Sequence, residues 1–574
     1  MNRRTTVFPL LAGGVATVAL LAGCATTVAA GSGSTASATG AAAGAEATQD
    51  AAAVLAANEE VHTFTDDAGG DASATAIALS DGTATVSGTD AGSVTVDGGT
   101  VTITASGTYR VSGELTDGQL VVDSGDTGTV RIVLDGASIA SSTTSAIAVT
   151  AAEEVVLVLA DGSTNSLSDT GSYPEESADD STSTPNAALW SSADLLITGQ
   201  GALTVTGNGN DGITSKDGLV IASGAITVDA ADDGLRGKDY LVVDGGTLDV
   251  TAGGDGLLSD EDTDVTRGYV SVTAGTIIVT SGDDAVQAQT DVVVTGGALD
   301  LTAGDDGMHG DTALVIDGGT LDVASSYEGL ESQHITVAGG DISVTASDDG
   351  LNAAGDTTTA ADTDTADTDT ADTDTATADT TTDATDEPDA VPGMGGGEMA
   401  AGDQTITISG GTLTVDSGGD GLDSNGSMTI TGGTTVVNGP TDSGNGALDV
   451  NGDFTVSGGS LLATGSAGMA VSPGAASAQG WLSATETSTI DAGEIVQILA
   501  ADGTELASFQ STKEFQNVVY SSSAVSSGAS YSIVTGGTTA ATATAGVAAA
   551  GTMGGGGGMP PGGGAGMPAD GRRP

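Results

Sequence analysis

The chain has 574 residues, with 78 Asp+Glu against 11 Lys+Arg and a formal charge of −67. That charge excludes nucleic acid as a partner, because phosphates are repelled, and a single cysteine excludes a disulfide scaffold or a cysteine-based zinc site. Aromatics make up only 2% of residues, so the core has to be built from Val, Ile, Leu, Ala and Thr, which favours thin, repetitive β packing.

Arg3 and Arg4 precede an apolar run from Val7 to Leu21. It is too short to span a bilayer comfortably and suits a signal segment. The run ends Leu21-Ala22-Gly23-Cys24, which resembles the lipobox of bacterial lipoproteins. Residues 1–23 therefore read as a lipoprotein signal peptide, and Cys24 as the lipidated residue that anchors the chain to the extracellular face of the bacterial cell membrane. A plain secretory signal is the alternative. Residues 24–75 are rich in Ala, Gly, Ser and Thr and read as a disordered tether.

Residues 76–190 alternate apolar and polar (Val94/Val96, Val101/Ile103, Val130 to Leu134, Val155 to Leu159) and read as irregular N-terminal coils and a cap. A repeat organises residues 191–475. Gly245-Gly246-Thr247-Leu248-Asp249-Val250 and the following Asp255-Gly256-Leu257 recur, with the acid at Asp211, Asp233, Asp255, Asp284, Asp306, Glu328 and Asp349, at steps of 22, 22, 29, 22, 22 and 21. A step of 71 then reaches Asp420, because residues 356–403, an Asp/Thr run followed by Gly and Met, interrupt the array and have nothing to bury. Each unit holds three short alternating segments and no helical period. Three strands in about 22 residues predict a right-handed parallel β-helix of about ten coils, with equivalent aliphatics stacked at ~4.8 Å. A β-propeller, the alternative, needs repeats of about 40 residues. Residues 476–536, with Asp502-Gly503 as a hairpin turn, read as a β cap over the open end, and 537–574 as a disordered Gly/Ala/Pro/Met tail.

Ser325-Ser326-Tyr327-Glu328-Gly329-Leu330-Glu331, Ala346-Ser347-Asp348-Asp349-Gly350-Leu351-Asn352-Ala353, Asp232-Asp233-Gly234-Leu235-Arg236-Gly237-Lys238-Asp239 and Gly421-Leu422-Asp423-Ser424-Asn425-Gly426 carry a family likeness, with Gly107-Thr108-Tyr109 and Asn186 to Trp190 upstream. From about 77 to 536 the sequence resembles the calcium-containing β-helix carbohydrate-binding domains of bacterial surface lipoproteins. The resemblance implies a pectate-lyase-like fold, bound Ca²⁺, and cellulosic or pectin-like polysaccharides as partners. The sequence departs from the family at Gly254 and Gly419, where Asp is common, and at Ala285, where Gly is.

Stacking puts the repeated acids in one column, with Asp232, Asp283, Asp305 and Asp348 beside it. Carboxylates one strand apart repel, so either their pKa values rise or cations bind between them. Oxygen-only ligands favour Ca²⁺. The plainer reading is that Asp-Gly is turn chemistry. The candidate metal ligands are thus Asp211, Asp232, Asp233, Asp255, Asp283, Asp284, Asp305, Asp306, Glu328, Asp348, Asp349 and Asp420. The scarce bases Lys216, Arg236 and Lys238 read either as local charge balance or as contacts for acidic sugars. Tyr327 either stacks on a sugar or covers a corner. His62, His309 and His334 read as lone exposed residues. The expected function is non-catalytic, Ca²⁺-dependent polysaccharide binding by a monomer. Alternatives are a polysaccharide lyase, in which Arg236 or Lys238 takes a proton, and a structural adhesin.

Overall fold

The computed structural model describes residues 49–64, 73–169, 171, 173, 184–355, 401–549 and 553–554. Cys24, the signal segment and residues 356–400 lie outside them.

Strands pair in parallel with the strand one coil further on. The longest ladder joins Ala202–Gly207, Ala225–Ala230, Thr247–Ala252, Thr276–Thr280, Ala298–Thr302, Thr320–Ser326, Asp341–Ala346, Thr412–Ser417, Thr434–Asn438 and Ser460–Gly465. Leu203, Ile226, Leu248, Ile277, Leu299, Leu321, Ile342 and Leu413 stack along it, as the repeat requires. The fold is a parallel β-helix. Alternation in these strands sends the aliphatics inward and Thr and Asp outward, so the core closes without large rings. The second glycine of each Gly-Gly corner has positive φ, 87° at Gly246 and 85° at Gly319. A Cβ on Gly246 would lie 2.8 Å from the carbonyl oxygen of Gly224 in the coil before, so the corner tolerates no side chain.

The coils extend upstream of residue 191, as the alternation of residues 76–190 implies, while three expectations need correction. Thr75–Ser80 is already parallel to Gly107–Leu115, and that strand to Val130–Ser141. Among the described residues before 191, only the hairpins Thr75–Ser80 with Thr83–Ser87 and Val94–Asp97 with Thr100–Ile103 are antiparallel. One apolar core runs from Ile77 to Val519.

The tether reading fails for residues 49–64. Asp50 caps a short helix, Ala51–Ala57, by accepting the amide of Ala53 at 2.7 Å. Ala51 and Val54 pack on Val293, Ala313 and Val315, and Leu55 and Phe64 reach the cluster of Val220, Tyr240, Val242 and Tyr269. Asn58 Nδ2 donates to Asp291 Oδ2 at 2.7 Å, Arg267 pairs with Glu59, and His62 Nε2 lies 2.6 Å from Glu154 Oε2. This segment is a strap along one flank.

The tail reading fails for Thr538–Thr544, which is a strand. It joins Ile495–Ala500, Glu505–Gln510 and Ser530–Thr535 in an antiparallel sheet, with Asp502 and Gly503 in the first hairpin turn. Phe515–Ser521 lies antiparallel on Ser460–Gly465 and closes the last coil's edge. Finally, His62 and His309 are ion-paired and not isolated, whereas His334 Nδ1 meets Thr405 Oγ1 at 3.0 Å.

The inserted residues leave a corner without breaking the stack. Leu330–Val337 pairs with Leu351–Ala353 before the insertion and with Thr405–Ile408 after it.

Candidate metal and glycan site

From Asp233 on, the repeated acid stands two residues before the strand that follows it, and its backbone explains part of its recurrence. The amides of Asp255, Asp284, Asp306 and Asp420 donate to Oδ1 of Asp233, Asp255, Asp284 and Asp349 in the coil before, at 3.0, 3.0, 2.8 and 2.5 Å. One carboxylate oxygen therefore ties coil to coil, and the second is left for other chemistry. Turn chemistry and cation binding are thus not exclusive.

Three residues after each acid, the outward position of the same strand forms a second column. Parallel register joins Thr214, Arg236, Leu258, Gln287, His309, Glu331, Asn352, Asp423 and Asp449. This column changes sign along the helix. Near its start it supplies Arg236, and in its second half it supplies Glu331, Asp423 and Asp449. Sequence reasoning missed it because it followed the acid-Gly step alone. The signal was present in Glu328-Gly329-Leu330-Glu331 and Asp420-Gly421-Leu422-Asp423.

Four groups have donor atoms within 4.8 Å of one another: Asp255/Asp283/Asp284, and three in which the two columns meet, Asp284/Asp306/His309, Asp306/Glu328/Glu331 and Asp349/Asp420/Asp423. Seven of the candidate ligands are brought together in this way. Asp211, Asp232, Asp233, Asp305 and Asp348 join no such group. Asp211 is fully buried and already served: Asn186 Nδ2 and Thr214 Oγ1 donate to its Oδ2 at 3.0 and 2.8 Å, and Asn210 Nδ2 donates to its Oδ1 at 2.9 Å.

Full charges at 4.8 Å repel by roughly 3–4 kcal/mol at an effective dielectric of about 20. Burial first, then neighbouring acids, push Asp255 up to about 8, Asp420 to about 7 and Asp423 to about 8. Burial likewise raises Glu328 to about 7 and Asp349 to about 6, against hydrogen bonds from Asn352 and Asp420 that lower them. Asp306 is raised by burial and by the hydrogen bond it shares with Glu331. Burial would lower His309, but Asp284, Glu331 and Asp311 outweigh it and lift the imidazole to about 9.

The donors fit a hard divalent cation. Three groups, Asp255/Asp283/Asp284, Asp306/Glu328/Glu331 and Asp349/Asp420/Asp423, offer carboxylate oxygen only. Among the described residues, no Lys or Arg is paired with Glu328, Glu331, Asp349, Asp420 or Asp423. The departures at Gly254 and Gly419 make room. A Cβ on Gly254 would stand 2.7 Å from Oδ1 of Asp232 and of Asp233, and one on Gly419 would stand 2.2 Å from Asp348 Oδ1 and 2.4 Å from Asp349 Oδ1. Ala285, by contrast, is accepted inside the core, fully buried.

Beside the column lies an open cavity of about 390 Å³, lined by Asp283, Asp284, Gln287, Asp305, Asp306, His309, Tyr327, Glu328 and Glu331. Tyr327 is 49% exposed at its rim, with its hydroxyl on Asp348. It does not cover a buried corner.

The bases separate into two places. Lys216 and Lys238 line a cleft of about 320 Å³ with Ser192, Asp217, Asp239, Glu261 and Arg267, beside the docked strap. Lys238 Nζ is 3.6 Å from Glu261, and Arg267 Nη1 is 2.6 Å from Asp239. Arg236 is not in this cleft. Its Nε donates to Asp260 Oδ2 at 3.0 Å, and its Nη1 faces Asp211 and Asp233 in the acid column at 3.8 and 4.0 Å.

The site is thus an acidic column flanked by open polar clefts on a parallel β-helix. A family model described as carbohydrate-binding domain-containing protein matches residues 97–350 and 291–446, together more than half of the chain, and the chain belongs to that family. A carbohydrate-binding domain-containing protein of Acetivibrio thermocellus is 42% identical over 130 residues, 23% of this chain and 45% of that protein, so the chain spans about half the length of the curated relative it matches. Among solved structures, the polysaccharide lyase-like protein from C. thermocellum, as a gadolinium derivative, is similar with 33% identity and a TM-score of 0.40, over 42% of this chain and 96% of that one.

Proposed function

We propose that this protein is a non-catalytic polysaccharide-binding lipoprotein whose grip on its ligand depends on Ca²⁺. The convergence of oxygen-only carboxylates at Glu328/Glu331 and Asp349/Asp420/Asp423 carries the reading. The Asp349/Asp420/Asp423 group, which has no basic partner among the described residues, repels acidic glycans as well as itself. A divalent cation held there removes both repulsions and leaves coordination sites for sugar hydroxyls and carboxylates. Tyr327, exposed at the rim, offers a ring face to a bound sugar. Lys216 and Lys238 face a second polar cleft suited to a uronate. The ligand on this reading is an acidic, pectin-like polymer, with cellulosic glycans as the neutral alternative. The protein acts as a monomer held at the extracellular face of the membrane through Cys24.

The test is a polysaccharide binding array with the full chain, run with Ca²⁺ and with chelator, while ultraviolet absorbance is followed on polygalacturonate. Binding that disappears in chelator, without absorbing product, supports the reading. Binding indifferent to chelator overturns its calcium half. An unsaturated, absorbing product assigns a lyase, and failure to bind any glycan assigns an adhesin.

A further inference from the structure

The acid column is not electrically uniform, and one residue accounts for the difference. Arg236 occupies the outward position of Leu235–Gly237, between Thr214 of the coil before and Leu258 of the coil after. Its side chain is only 15% exposed. Two of its nitrogens hold Asp260, and the third, Nη1, lies 3.8 Å from Asp211 Oδ2 and 4.0 Å from Asp233 Oδ2. Three carboxylates thus surround one fixed positive group. Asp211 is completely buried, and an uncompensated charge there would be strongly destabilising.

Four coils on, the same register position is Glu331, and two coils beyond that it is Asp423. There the second column adds a carboxylate instead of neutralising one. The backbone geometry is common to both ends, since Asp233 at one and Asp349 at the other each tie the next coil's amide through Oδ1. What differs is the side chain three residues later.

We propose that Arg236 is a tethered counter-ion standing where a divalent cation stands further along the column, and that the residue at this register position decides which coils recruit metal. A guanidinium and a cation are alternatives for the same task, bridging stacked carboxylates. The guanidinium is built in and cannot be chelated away. The N-terminal coils are therefore metal-independent, and the acids Asp211 and Asp233 leave the list of metal ligands. The inference rests on the calcium reading above for the second half of the column, but not for the Arg236 end.

The test uses the full chain, counting bound Ca²⁺ by titration calorimetry, counting Tb³⁺ by luminescence, and recording thermal midpoints in chelator and in calcium. Arg236→Gln should lower the midpoint in chelator, bind one more ion than wild type, and recover most of the loss when calcium is added. An unchanged ion count, with a midpoint that calcium does not restore, overturns the proposal. The reciprocal variant Asn352→Arg places a guanidinium between Glu331 and Asp423, and decides the matter if Arg236→Gln does not fold. It should raise the midpoint in chelator and bind one ion fewer. A lower midpoint with the ion count intact refutes the exchange of one charge for the other. Wild type that takes up no ion while Arg236→Gln takes up one would sink the calcium reading of the function and leave the role of Arg236 standing.

Discussion

Asp423→Asn separates the cost of the carboxylate column from its use. The donor oxygens of Asp349, Asp420 and Asp423 lie within 4.8 Å of one another. Burial and the charges of Asp349, Asp449 and Asp420 hold Asp423 at about 8. Asparagine keeps the shape and removes the charge, which relieves two repelling pairs. At full ionisation each pair is worth roughly 3–4 kcal/mol, and partial protonation and solvent screening reduce the sum to roughly 1–3 kcal/mol. In chelator at pH 8 the variant should therefore melt higher than wild type, by roughly 2–6 °C at about 2 °C per kcal/mol for a large chain. In calcium the sign reverses. Wild type gains RT ln(1 + [L]/Kd), about 2.7 kcal/mol at a hundredfold excess over Kd, whereas the variant has lost a ligand and gains less. Thermal melts followed by circular dichroism under both conditions should therefore cross. If Asp423→Asn lowers the midpoint equally in chelator and in calcium, the side chain only shapes the coil and the electrostatic argument is wrong.

Three further expectations follow from the same structure. Asp255, Glu328, Asp349, Asp420 and Asp423 titrate above the usual carboxylate range when folded. Their protonated forms thus favour the fold, and the stability they contribute is lost as pH rises from about 4 towards about 8. In chelator the midpoint should fall across that window, and calcium, which competes with the proton, should flatten or reverse the slope; a flat profile in chelator would show that the column ionises without strain. Beginning the chain at Ser73 removes the strap and bares Val220, Val242, Val293, Val315, Tyr240 and Tyr269. Fluorescence of an apolar dye should rise well above that of the full chain, and an unchanged signal would mean that the strap covers nothing of consequence. Cys24→Ala should release the protein from cells into the medium, and retention at the membrane would refute the lipid anchor.

The inward architecture was legible because it obeys a strict period. Leu248, Leu299 and Leu321 repeat at a fixed place after a Gly-Gly corner, and only a stacked coil puts such residues on one line. The strap was not legible in its own sequence, which offers few apolar side chains. It was announced from the other side. Leu241-Val242-Val243 and Val292-Val293-Val294 are unbroken apolar runs, buried on both faces, whereas Thr405–Ile408 and Ser427–Ile430 alternate buried with half-buried positions. An unbroken run in a coil strand means that something lies outside it. The second column went unread for a different reason. Its members share a position but not a chemistry, so no repeated letter marks it, and only the register aligns Arg236 with Glu331 and Asp423.

That last observation bears on how such a protein acquires its binding properties. In a solenoid each coil meets only its neighbours, so an outward position can change without disturbing the core. The inward leucines and valines and the Oδ1-to-amide ties keep the coils in register, and neither depends on the residue three places further on. On the proposed reading, arginine there offsets part of a coil's negative charge, whereas an acid adds to it and leaves a cation to balance it. If the proposed calcium reading holds, a single column would carry a metal-free segment beside a metal-dependent one. A bound polymer would then meet fixed charge at one end and exchangeable charge at the other. Its affinity at the exchangeable end would follow the calcium concentration, while the Arg236 segment would need no ion. Such a division would let the surface release its ligand when calcium falls without unfolding, an outcome that a column built wholly of acids would not allow.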